Sequence, residues 1–185
     1  MPSDMTQLPS AIEIEKLPLR AIVGYAISCA RRLTSELRGI APAGVVDRAL
    51  SLAEEVVFAQ RPELVNAASI LLAGADVAEA ASTLETAKQR LAALAVIGAT
   101  NAAYHAIEGA ADPRGLRYNV GFAARAAEGA GRAALILEEQ AAACAVRAAR
   151  KHYECLLKQC GEHEPGRMGD PIQLADAAEE SSEEE

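Results

Sequence analysis

The chain has no tryptophan, and its aromatic residues, four tyrosines and two phenylalanines, make up only 3% of 185 residues. Strands favour aromatic and β-branched side chains that pack on a pleated surface, so this scarcity argues against a sheet. Cysteines are few and scattered: Cys29, Cys144, Cys155 and Cys160 lack the dense spacing of a secreted disulfide scaffold, and reduced thiols in the cytoplasm are the expectation. Long apolar runs are missing too. The most apolar stretch, 91–107, is shorter than the ~20 residues a span needs, is rich in alanine, and contains Asn101 and His105, so no membrane helix is expected. The run 21–28 ahead of Cys29 has the look of a lipoprotein leader, but it follows a charged region, leads into Arg31 and Arg32, and continues a helical pattern.

An excess of basic charge is also lacking. The net charge is −8, yet nine of the 26 acidic residues and one of the 18 basic residues lie after residue 160, which leaves seventeen of each before it. A neutral body with a polyanionic end opposes approach to nucleic acid or to an anionic membrane.

What the chain has in quantity is alanine, nearly half of its apolar content. Alanine has the highest helix propensity and no side-chain entropy to lose, so the fold class expected is all-α: a single bundle of about five helices with a long C-terminal helix and disordered termini. Residues 1–16 read as a flexible arm, 17–160 as the bundle, and 161–185 as a disordered acidic tail unable to repay its ordering entropy. Pro18 opens a first amphipathic helix with Leu19, Ile22, Val23, Ala26, Ala30, Leu33 and Leu37 on its stripe and Arg20 and Arg31 off it. A second follows Pro42 and Gly44 and stops near Arg61. Pro62 opens a short third helix that Gly74 is placed to end. Asp76 with Glu79 and Ser82 with Glu85 are candidate capping boxes for a fourth helix running to Gly109. After a turn at 110–115, one long helix is expected from about Asn119 to Gln159. Isolated glycines such as Gly24, Gly98, Gly121, Gly129 and Gly131 suit close helix contacts.

Three constellations carry chemistry. His152, Cys155, Cys160 and His163 supply metal-ligand types, but Cys155 and Cys160 are five apart on a helix and diverge around its axis, which favours a buried Tyr153, Leu156, Cys160 stripe with two solvent histidines. Arg125, Glu128 and Arg132 make a solvated charged ladder. Asn101, Tyr104, His105 and Glu108 share one helix face, where histidine and glutamate could act as base and orienter or fix a ligand, or else form an interhelical hydrogen-bond network. No nucleophile, second carboxylate or metal spacing accompanies them, so no catalytic set, cofactor or metal is assigned.

The segments 17–20 leading to 29–32, 101–106, 150–157 and the ending 166–172 together resemble a group of uncharacterised alanine-rich all-helical bacterial proteins, and more distantly the helical immunity proteins of bacterial toxin systems. The latter resemblance implies a non-enzymatic protein that binds and neutralises a partner protein. With Tyr118 and Phe122 as further anchors beside Asn101, Tyr104, His105 and Glu108, a protein-binding module is the first expectation, homo-oligomerisation being open. The alternative is a small-molecule or metal-binding bundle, with hydrolytic chemistry as an option, centred on His105 and Glu108.

Overall fold

The computed structural model describes residues 7–37, 43–112, 116–137, 142–160, 167–172 and 174. Seven α-helices, α1 (Ala11–Ile14), α2 (Leu19–Arg31), α3 (Ala43–Phe58), α4 (Ala67–Ser82), α5 (Ala87–Ala111), α6 (Leu116–Leu137) and α7 (Ala142–Cys160), and two short 3₁₀ turns account for the secondary structure among the described residues. No strand occurs among them, as the composition implies.

The first helix expected, α2, is less amphipathic than its sequence suggests. Only Ser28 and Arg31 escape full burial, because α3, α5, α6 and α7 all pack around it. Arg20, placed off the apolar stripe by its chemistry, is buried and donates from Nη1 to the Val57 carbonyl at 3.2 Å. A helix covered on every side must satisfy such a group internally. The α5–α6 pair is the most extensive contact between helices, and alanines fill most of the buried positions of both. Small side chains bring the backbones close: a Cβ on Gly98 would stand 2.9 Å from the Ala126 carbonyl oxygen and 3.2 Å from the Ala130 Cβ.

Several boundaries differ from the sequence expectation. Gly74 does not end a helix but lies inside α4, where a Cβ would meet Thr100 Oγ1 at 2.7 Å. The box that starts α5 is Thr86 with Gln89, while Ser82 donates its hydroxyl to the Glu79 carbonyl at the end of α4. The long helix expected from 119 to 159 is described as two, α6 and α7, with 138–141 outside the described residues. Pro42, the 113–115 part of the expected turn, His163 and the final acidic residues also lie outside them.

Residues 7–16, 167–172 and 174, which fall in the stretches expected to be arm and tail, lie against the bundle. Ser10 and Glu13 form a capping box on α1, and Ile14 and Leu17 are fully buried. Arg150 of α7 is buried: its guanidinium donates to the Gln7 and Leu8 carbonyls at 3.1 and 3.3 Å and to Glu13 Oε1 at 2.6 Å. Tyr153 adds a hydroxyl bond to the Glu13 carbonyl at 3.1 Å. At the other end Ile172 is buried, and Met168 and Leu174 pack against the core.

Candidate functional site

Three of the six aromatic side chains and one of the three histidines meet where α5 and α6 lie side by side. Tyr104 and His105, consecutive in the chain, are contributed by α5, and Tyr118 and Phe122, one turn apart on one side of the helix, by α6. His105 stacks on Phe122 with ring centroids 5.1 Å apart and planes 26° apart, Tyr104 meets His105 edge-on at 5.2 Å, and Tyr118 meets Phe122 edge-on at 4.4 Å. These are the offset and T-shaped geometries that ring quadrupoles favour.

Asn119, which sequence reasoning passed over, places Oδ1 3.2 Å from His105 Nδ1. In the tautomer that carries its proton on Nδ1, the imidazole donates to this amide oxygen. The i, i+3 and i, i+4 pattern within α5 could not reveal this partner, because it comes from the neighbouring helix. Tyr104, His105, Asn119 and Phe122 are half-buried, but Tyr118 is 70% exposed. Asn101 and Glu108 are half-buried on the same α5 face, one turn to either side of His105, and are not brought into the ring cluster. Tyr104 packs partly against the hydrophobic core, Phe122 is half-buried, and Tyr118 carries the cluster out to the surface.

A second polar pair joins α2 to α7. Ser28 Oγ lies 3.0 Å from His152 Nε2, and the Tyr25 ring lies alongside the imidazole with centroids 6.4 Å apart. His152, expected in solvent as half of a metal motif, is thus half-buried in a helix contact, while Cys155 is exposed on α7. Among the described residues no three His, Cys, Asp or Glu side chains converge as a metal set. Serine and imidazole at this distance resemble an activated nucleophile. For acyl transfer the pair would need donors for a developing oxyanion, and Ser28 sits mid-helix where main-chain N–H groups serve the helix's own ladder. The pair links α7 to α2.

The Tyr25 hydroxyl is fully enclosed beside Gly131, whose Cα–H leaves the space a Cβ would take at 2.9 Å. Burial first, and then the Cys29 thiol one turn on, push its phenol well above the usual value. Burial tends to raise the Glu13 carboxyl, but hydrogen bonds from Arg150 and from Ser10 outweigh it and hold the group below its ordinary value. A cleft of about 450 Å³ lies apart from these clusters, lined by Arg31, Thr34, Asp47, Leu50, Ser51 and Glu54, with Arg31 and Glu54 paired.

Compared with known protein families, curated proteins and solved structures, the chain matches none. No helix among the described residues is long and apolar enough to cross a membrane.

Proposed function

We propose that this chain is a non-enzymatic, cytoplasmic protein-binding module, of the kind an immunity or accessory protein represents, and that it engages another protein through the α5–α6 aromatic patch. The observation that carries this reading is the concentration of Tyr104, His105, Tyr118 and Phe122 at one partly exposed place in a chain that has six aromatic residues in all. Tyrosine and phenylalanine give large contact area at little cost in rotamer freedom, and such residues dominate binding hot spots. Phe122, itself stacked on His105, packs edge-on against Tyr118, so the exposed ring is presented in a restricted orientation. His105 Nε2 and the carboxylate of Glu108 on the flank add directional contacts. A net charge of −8 favours a basic partner during encounter.

The test is affinity capture from the native cell with wild type beside Tyr118→Ala, a change at an exposed position that leaves the core untouched. A specific protein recovered with wild type and depleted at least about tenfold with the variant is the expected result. Equal recovery by both removes the patch from the interface. A small molecule co-purifying with wild type and lost on His105→Ala, with no protein partner, overturns the reading in favour of the ligand-binding bundle.

A further inference from the structure

Helix α7 carries two cysteines near its C-terminal end, in unlike surroundings. Cys155 is exposed, and the Gln159 side-chain amide donates to its Sγ at 3.6 Å. Lys151 and Lys158, one turn before and one turn after it, stand exposed on the same side of the helix. An exposed thiol between two ammonium groups is open to an anionic disulfide. Cys160, the last residue of α7, is half-buried and packs on the core, as Met168 and Leu174 do. Burial first, then the Asp170 carboxylate and then Cys155, push its thiol above the usual value, so it offers little thiolate to a reagent in solution.

In an intact helix, Cα atoms five residues apart are about 8–9 Å from each other and diverge around the axis. That exceeds the roughly 7 Å within which a disulfide closes, so a bond between Cys155 and Cys160 requires the last turn of α7 to open. Opening gives up little burial: Lys158 and Gln159 are exposed, and the buried Tyr153 and Leu156 lie ahead of the turn. Cys160 does leave the core, and with it the neighbourhood of Asp170. Asp170 belongs to the segment whose Arg167 and Met168 carbonyls accept the N–H groups of Leu19 and Arg20 at the start of α2.

We propose that Cys155 and Cys160 form a thiol switch for a small anionic disulfide such as oxidised glutathione, and that its closure loosens the 167–172 segment from α2. The Cys155 thiolate attacks one sulfur of the reagent, whose S–S bond breaks, and the departing thiolate takes up a proton. As the last turn opens, Cys160 gives its proton to water. Its thiolate attacks Cys155 Sγ in the mixed disulfide, forms the protein S–S bond and expels the second reagent thiolate. Two protein thiols are oxidised, and one reagent disulfide is reduced to two thiols.

The test uses the reduced full chain incubated with oxidised glutathione, with peptide mapping of its disulfides and hydrogen exchange at the Leu19 and Arg20 amides. The expected result is a Cys155–Cys160 bond and exchange at least about tenfold faster than in the reduced chain, both reversed by dithiothreitol. Cys160→Ser stops at glutathione on Cys155 and keeps the slow exchange, which separates closure from mere modification. Cys155→Ser reacts at least about tenfold more slowly, because the remaining thiol is shielded. Changing Lys151 and Lys158 to Gln slows the reaction with oxidised glutathione but not with the uncharged 2-hydroxyethyl disulfide. Glutathione that stays on Cys155 of the wild type without pairing to Cys160 overturns the switch. A Cys155–Cys160 bond that leaves Leu19 and Arg20 as protected as before overturns its coupling to α2.

Discussion

Gly98 and Gly129 read alike in the sequence, each an isolated glycine in an alanine-rich helix, but their surroundings predict opposite responses to a methyl group. At Gly98 the methyl would press on the backbone of α6, which cannot move aside, while at Gly129 no heavy atom outside its own helix lies within 4 Å. Gly129→Ala should stabilise by about 0.5–1 kcal/mol through helix propensity and a less flexible unfolded chain. Gly98→Ala should destabilise by about 1–3 kcal/mol through overpacking, despite the same gain in propensity. In thermal melts the two variants should move to opposite sides of wild type, Gly98→Ala by about 2–4 °C per kcal/mol. The acid limb of stability belongs to the same scale. Glu13 is held below its ordinary value in the fold, so its contribution is present above the unfolded carboxylate range near pH ~4.3 and is lost as pH falls through the lower folded value. Glu13→Gln should lower the melting temperature at neutral pH and make it fall less steeply on acidification. Tyr25 acts at the other limit: its raised phenol value makes stability decline as pH rises past about 10, where the unfolded phenol ionises.

At the scale of elements, α2 depends on the far end of the chain. Its N-cap is Pro18, which has no side chain able to accept a bond, and the first two N–H groups of the helix, from Leu19 and Arg20, donate instead to the carbonyls of Arg167 and Met168 at 2.8 and 3.1 Å. Gly169 makes this approach feasible: it adopts φ +77°, and a Cβ there would stand 2.6 Å from Pro18 Cβ. Ile172 then enters the core, and Leu174 lies over Gly24, where a Cβ would be only 2.9 Å from its side chain. Two hydrogen bonds at about 1 kcal/mol each and a buried isoleucine worth about 1.5–3 kcal/mol make this segment a structural strap. Truncation after residue 166 should therefore lower the melting temperature by about 5 °C or more, measured by circular dichroism at 222 nm, a helix band. Truncation after residue 174, which removes a highly acidic and apolar-poor stretch, should leave it within a degree or two of wild type. A comparable tie joins the opposite end, where buried Arg150 takes carbonyls from residues 7 and 8 and the Glu13 carboxylate, so Arg150→Met should loosen α1 and α7 together.

For the whole molecule, net charge acts on the proposed α5–α6 contact. A chain at −8 attracts a basic partner during encounter, so added salt should slow association with that partner. Measuring the association rate across an ionic-strength series checks this dependence.

Composition alone determined that the fold would be helical, because alanine-rich, aromatic-poor chains have little to gain from a sheet. Periodicity located most of the helices, and the shared face of Asn101, Tyr104, His105 and Glu108 was legible because residues three and four apart on one helix are neighbours. The capping boxes at Ser10 with Glu13 and Thr86 with Gln89 were also written in the chain, and following them would have placed α1 and the start of α5. Only tertiary structure decided the rest. That Arg20 and Arg150 are buried depends on carbonyls supplied by distant segments, and local polarity points the other way. That His105 meets Asn119 and Phe122, and His152 meets Ser28, depends on which helices lie side by side. Alanine faces resemble one another too closely for sequence to choose among those pairings; the few glycines at close approaches, such as Gly74 against Thr100, Gly98 against α6 and Gly131 against Tyr25, mark which helices meet.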